Sequence, residues 1–298
     1  MEINRVTPET KEVFGKIWKI VFGDSDKWLD IYMNEYIEHD KAFFLREERS
    51  MQSILSFYEH KELVGKDGES YGKAPALYAG ATLPGCRGKG LFASLMERVL
   101  SEINEKGHTA ASIFPSEEWL FGYYRDKFGF RDYYFSNVIY ADSGDIMPWE
   151  YEMEEGRELK LTVVNAPKYN SLREKILKGT NHLVFNEAQI KLQKETAMLS
   201  GGNLYEIKGG KDKAICCIER MSGKDVRVTE LLADPGDIKD AVALIRKNFH
   251  GDRYEIRYPE GVFADIDNVT PTVKCMGQLK VFGEGRFPDK AYAGFMFD

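Results

Sequence analysis

Cysteine is scarce: four in 298 residues, Cys86, Cys216, Cys217 and Cys275, with no C-x-x-C and no histidine at a metal-ligand spacing. That excludes a disulfide framework and a cysteine-built zinc site, and no metal is expected. Cys216 and Cys217 are neighbours in an apolar run, so in a strand they point to opposite faces. Read as buried free thiols, they fit the cytoplasm. Histidine is nearly as rare, and His39, His60, His108, His182 and His250 do not cluster. No apolar run approaches the roughly 20 residues that span a bilayer, and no signal-peptide pattern opens the chain, so no membrane partner is expected. Lysine and arginine form no stripe and the formal net charge is −7, which disfavours nucleic acid as a partner. The acidic excess lies wholly in residues 1–150, the remainder being balanced. Such a half attracts cations.

What is present is a loop. Ala76-Leu77-Tyr78-Ala79-Gly80-Ala81-Thr82 reads as a strand, and Phe92 through Leu100 as a helix. Between them lies Leu83-Pro84-Gly85-Cys86-Arg87-Gly88-Lys89-Gly90-Leu91. A strand that feeds a glycine-rich turn and then a helix aims several N–H groups at one spot, with the positive end of the helix dipole behind them. Gly88 and Gly90 allow close approach of a ligand, and Arg87 and Lys89 add charge. The guest such a loop suits is a phosphate or pyrophosphate. The Gly-Lys-Ser/Thr ending of a Walker loop is missing, as is G-x-G-x-x-G. Cys86, beside the loop, is either structural or a reactive thiol.

Thr109 to Phe114 reads as a second strand. Pro115-Ser116-Glu117-Glu118 reads as a helix start capped by Ser116, and Gly129 as the end of that helix. With this helix in place, the chain from its N-terminus to about residue 140 resembles the GNAT acyltransferase superfamily. Arg87-Gly88-Lys89-Gly90 resembles its R-x-x-G-x-G/A coenzyme A loop, and Tyr124…Lys127-Phe128-Gly129-Phe130 its Y-x-K-x-G-F helix end. There are two departures. Phe92 stands where the last Gly or Ala is usual, which would crowd the pyrophosphate. One extra residue precedes Gly129, which leaves Tyr124 and Tyr123 as alternatives for the same role.

The resemblance implies acetyl transfer from acetyl-CoA to the primary amine of a small, cationic molecule. Amides of residues 88 to 92 (Gly88, Lys89, Gly90, Leu91, Phe92), with Arg87, would hold the pyrophosphate. A backbone N–H at Ala81, Thr82 or Leu83 would meet the oxyanion, and Tyr124 would protonate the leaving thiolate. The first helices, Thr7 to Phe22 capped by Thr7 and a second started by Asp24 or Ser25, would wall the acceptor groove. Trp28 and Tyr32 on the second are then candidate substrate contacts, although stripes of this spacing are usually core. The strand Ala76–Thr82 carries no carboxylate to act as base. The enhanced-intracellular-survival aminoglycoside acetyltransferases, which the chain resembles in loop and Tyr helix, use a C-terminal carboxylate. The apolar end Gly294-Phe295-Met296-Phe297-Asp298 offers Asp298 as a counterpart. Those relatives carry a further sterol-carrier-like domain, for which this chain is too short.

Asp142 to Gly156, acidic and turn-rich, reads as a connection between residues 1–148 and 149–298. The second part repeats the order strand, strand, strand, helix, strand: Leu204–Ile207, Ala214–Glu219, Val226–Leu232, Ile238–Asn248, Tyr254–Tyr258, after a strand at Leu159–Val164 and helices near Pro167–Leu177 and Asn186–Met198. Where a coenzyme A loop would sit it has Val228-Thr229-Glu230-Leu231-Leu232-Ala233-Asp234-Pro235-Gly236-Asp237, with acids in place of Arg and Lys and one Gly, which would repel pyrophosphate. The expected fold is α/β, two GNAT-like mixed sheets flanked by helices, the second degenerate. A non-catalytic acyl-CoA sensor and a tandem aminoacyl transferase of the FemABX kind remain alternatives, and an oligomer is left open.

Overall fold

The computed structural model describes residues 1–295 apart from 49, 153–158, 210–212, 222 and 261–268. The first half supplies β1 (Glu2–Arg5), β2 (Ala42–Glu47), β3 (Ser50–Tyr58), β4 (Glu62–Val64), β5 (Ala76–Thr82), β6 (Ala110–Ile113) and β7 (Arg131–Asp142). The second supplies β8 (Lys160–Val163), β9 (His182–Val184), β10 (Asn203–Lys208), β11 (Ala214–Arg220), β12 (Asp225–Leu232), β13 (Arg253–Pro259) and β14 (Thr272–Val281). Twelve of these form one mixed sheet in the order β1-β2-β3-β5-β6-β14-β7-β13-β12-β11-β10-β8, and β4 pairs with β9 apart from it.

The α/β class with mixed strands and flanking helices is as the sequence suggests, and the two expected sheets are continuous. Each half contains one parallel pair, β5 with β6 and β12 with β13. The strand that ends each half lies against the other half's pair. β7 runs antiparallel beside β13, and β14 runs between β6 and β7. Thr272–Val281, a strand not among those expected, alternates Val273, Cys275, Leu279 and Val281 with Lys274, Gln278 and Lys280, and its ladder with β7 slips on either side of Gly277.

On one face of the first half, α1 (Lys11–Phe22) and α2 (Asp26–Ile31) bury Phe14, Ile17, Trp18 and Leu29 against Ile54, Ala79 and Ala81. On the other face, α3 (Leu91–Glu105) and α4 (Glu118–Phe128) pack Leu95, Val99 and Phe128 against Leu55, Leu77 and Ile113. The second half adds α5 (Ser143–Glu152), α6 (Ala166–Ile176), α7 (Glu187–Leu199) and α8 (Ile238–Asn248). Cys216 and Cys217 are fully buried in two different clusters, on opposite faces of β11.

Three local readings are corrected. The segment expected to be a connection is largely α5. Ile146 and Trp149, one turn apart, bury against α8, and the Asp145 carboxylate accepts the Asp142 N–H at 3.0 Å. The helix expected from Thr7 begins at Lys11 after a turn in which Thr10 Oγ1 accepts the Thr7 N–H. Ser116 does not cap α4, whose N-cap position is Glu117 without a side-chain bond.

Candidate active site

β5 and β6 pair only at Ala76–Ser112 and Leu77–Ile113 and then part. On its other edge β5 stays with β3 but bulges: Ser56 faces Tyr78 and Ile54 faces Ala81, so Leu55 faces both Ala79 and Gly80. Ala79 takes φ 54°, the left-handed region that a residue with a Cβ rarely enters. A bulge leaves its extra residue outside the ladder, and this one lies beside the gap between the strands. The Leu83 N–H is already engaged, donating to Gln52 O at 2.9 Å. Of the expected oxyanion donors at 81–83, Leu83 is therefore excluded, while Ala81 and Thr82 line the cleft with Ala79 and Gly80.

The glycine loop forms the cleft's other shoulder. Gly88 and Gly90 both take φ 77°, and no atom lies within 4 Å of a Cβ built on either. Only glycine takes this backbone without strain, and the space above it is clear. Gly90 is the N-cap of α3, so the N–H groups of Leu91, Phe92 and Ala93 have no carbonyl within their own helix. The Arg87 side chain folds back, Nε donating to Thr82 O at 3.2 Å. Arg87, Gly88, Gly90, Leu91 and Phe92 line the cleft, whereas Lys89 is exposed away from its wall. Phe92 does not crowd the loop as expected, because its ring turns toward Gly80 of β5.

The cleft has a volume of about 1070 Å³ and runs from the loop past the bulge to α1 and α2. Both Tyr124 and Tyr123 line it. Tyr124 is only 6% exposed and packs its ring on Phe92, Tyr123, Phe128 and Phe130. Tyr123 is half-buried, its ring 6.5 Å from Phe92. Burial raises the pKa of both phenols, most strongly at Tyr124, so both keep their protons at neutral pH. Gly129 ends α4 in the left-handed conformation, its N–H directed to Arg125 and Tyr124 carbonyls, and so fixes where both tyrosines sit.

At the far end stand Trp18, Phe22, Asp24 and Trp28. Trp18 Nε1 donates to Asp24 Oδ2 at 2.7 Å, and Asp24 makes no ion pair among the described residues. Trp28 Nε1 donates to Thr196 Oγ1 at 3.1 Å, which brings α7 of the second half to the wall. Tyr36 to Glu195 and Lys191 to Glu35 brace the same contact. The expected pair of substrate contacts divides here. Trp28 reaches the wall, while Tyr32 lies behind it, buried and stacked on Trp28 at 5.3 Å. Asp24, Trp18 and Thr196 were missed. The first two carry a legible signal, a Trp and an Asp six residues apart across a helix end, but Thr196 has none in its own segment. Asp298 lies outside the described residues. The tail before it is anchored: Ala291 pairs with Tyr134, Tyr292 with His182, and Phe295 is buried against Phe185.

Among the described residues no group of histidines, cysteines or carboxylates is arranged to hold a metal ion, and no helix is long and apolar enough to cross a membrane. What the cleft offers is an anion cradle at one end, a strained bulge with two protonated phenols at its middle, and a carboxylate among tryptophans at the other end.

The whole chain shares its fold with solved structures of low sequence identity. A GCN5-related N-acetyltransferase from Anabaena variabilis superimposes with a TM-score of 0.71 at 18% identity, over 94% of this chain and 72% of that one. One from Kribbella flavida gives 0.68 at 14%, over 94% and 70%. Eis1 from Mycobacterium abscessus gives 0.66 at 13%, over 94% and 74%. No curated protein matches the chain in sequence. Residues 2–131, which hold every residue lining the cleft except Thr196, match the family model described as an acetyltransferase (GNAT) domain.

Proposed function

We propose that the protein transfers an acetyl group from acetyl-CoA to the primary amine of a small cationic molecule. The observation that carries this reading is the placement of the open glycine loop, the parting of β5 from β6 and the two tyrosines in one cleft. Acetyl-CoA is the co-substrate of GNAT domains. The loop and the first-turn amides of α3 hold its pyrophosphate, with Arg87 turned from Thr82 O onto the anion. The thioester then lies along β5, its carbonyl oxygen toward an N–H of the 79–82 segment. The neutral amine attacks the carbonyl carbon, the oxyanion is met by that N–H, the C–S bond breaks as Tyr124 gives its proton to the departing thiolate, and the proton that the nitrogen sheds returns through water to the tyrosinate. Tyr123 is the alternative donor.

Asp24 and the face of Trp28 turned from Tyr32 suit an ammonium group, through charge and cation–π attraction. The second half, 149–298, is read as a GNAT-like unit without a cofactor loop, and its α7 braces this wall. The test is thiol release from acetyl-CoA across a panel of primary amines. Release that depends on a cationic amine supports the reading. Acetyl-CoA binding without amine-dependent release supports a sensor instead, and no binding at all points to the aminoacyl-transferase alternative.

A further inference from the structure

Phe92 is the residue at which this loop leaves the GNAT pattern, and its surroundings give the departure a use. It is the second residue of α3, and its ring crosses the cleft to β5. A Cβ added to Gly80 would come within 2.9 Å of Phe92 Cε2, 3.0 Å of its Cζ and 3.3 Å of Leu55 Cδ1. The ring therefore rests on the bare backbone of Gly80, at the bulge where β5 has left β6. On its other side stand Tyr123 and Tyr124, both with ring centroids 6.5 Å away. Gly80, Leu55 and the tyrosine pair hold the ring, while one part of it faces the cleft.

We propose that the Phe92 ring sets the maximum length of the acyl group. This rests on the reading of the cleft as an acyl-CoA site. A thioester whose oxygen meets the bulge and whose sulfur meets a tyrosine has its acyl carbon in the space that the ring borders. A methyl group fits beside the ring. A longer chain must push the ring off Gly80 or the tyrosines, and such close-packed contacts have no looser position of equal energy. Gly80 belongs to the same device, since any side chain there would drive the ring into the cleft.

The experiment compares specificity constants for acetyl-, butyryl- and hexanoyl-CoA, with one amine acceptor, in wild type, Phe92→Leu and Phe92→Ala. A methylene that does not fit a pocket costs about 10-fold or more in discrimination. Wild type should prefer acetyl-CoA over hexanoyl-CoA by at least that factor. Phe92→Ala should lower the preference by about 10-fold, with Phe92→Leu between. Affinity for coenzyme A itself, read by calorimetry, should change little, since the pyrophosphate amides are main-chain groups. Circular dichroism checks the fold, and the leucine variant keeps the test decisive if alanine does not fold. An acyl profile of the folded variants parallel to wild type, or a wild type already indifferent to chain length, overturns the inference while leaving the acyltransferase reading in place. Absence of coenzyme A binding in wild type overturns both.

Discussion

In the first half β5 leaves β6 after Leu77, and in the second half β12 leaves β13 after Val228. Each strand then enters a single 3-10 turn, Pro84–Cys86 or Pro235–Asp237, and each turn leads toward a helix, α3 or α8. In the first half the residues after the turn are Arg87, Gly88, Lys89 and Gly90, with open space above both glycines. In the second half the turn supplies its own anion, for Asp234 Oδ1 accepts the Gly236 N–H at 3.1 Å. The volume beside the second gap is filled as well: Ile146 and Trp149 from α5 pack with Val228, Ile238 and Tyr258 in one buried cluster. Shared topology supplies the parting strands and the helix behind them. A cofactor site also needs amides left without partners and a gap left unfilled, and among the described residues only the first half shows both.

The largest expected effect separates chemistry from binding within the first half. Tyr124→Phe should lower kcat by ~10² or more with acetyl-CoA affinity nearly unchanged. If Tyr123→Phe gives that loss instead, the extra residue in α4 has moved the role by one position, and if neither does, no phenol is the donor. Because burial raises the Tyr124 pKa, its loss of a proton should not limit the rate below about pH 10.

A second prediction concerns the seam between the halves. His60 is buried against Phe185 and Gln189, and burial, with Arg173 nearby, lowers its pKa to about 3. The folded state therefore holds it neutral, whereas the unfolded chain protonates it below about 6.5. Its contribution is fully present above that pH and is lost as pH falls toward 3, by up to about 1.4 kcal/mol per pH unit. Urea unfolding at pH 7 and pH 5 should show this loss, and His60→Phe should reduce it. An unchanged pH dependence in that variant would place the acid sensitivity elsewhere.

At the acceptor end, Asp24→Asn keeps an acceptor for Trp18 Nε1 and removes the charge. The Michaelis constant for a cationic amine should rise by about tenfold, as for a lost charge-assisted bond, with that for acetyl-CoA unaffected. Equal KM values for the amine would remove Asp24 from recognition. The smallest effect is a deliberate null that sharpens the comparison. Asp234→Lys, placed in the exposed turn of the second half, should not create a second acetyl-CoA site, because the gap beside it stays filled. A second binding event would mean that charge alone had closed that site.

The loop end of the cleft was legible in the sequence because it is local. Strand Ala76–Thr82, the loop with Gly88 and Gly90, and Gly129 as a helix end all depend on neighbours within a few residues, and all stand where the pattern put them. α8 likewise keeps the bounds Ile238–Asn248. What stayed hidden depends on distant partners. β14 alternates in sequence, but its place between β6 and β7 is set by partners more than 130 residues earlier in the chain. α5 forms because Ile146 and Trp149 find α8. Thr196 reaches the cleft wall from some 170 residues beyond Trp28 in the chain, and Tyr32 falls behind that wall although its helical spacing is as good as that of Trp28.

The central claim is that this chain has one acetyl-CoA site and that the 87–92 loop forms it. Titration calorimetry of wild type and Arg87→Glu with acetyl-CoA tests it most directly. The account predicts one site per chain, and a loss of about 2 kcal/mol or more in the variant, roughly thirtyfold in affinity, since an attraction to pyrophosphate becomes a repulsion. Unchanged affinity in a folded Arg87→Glu, or two equivalent sites in wild type, would contradict it.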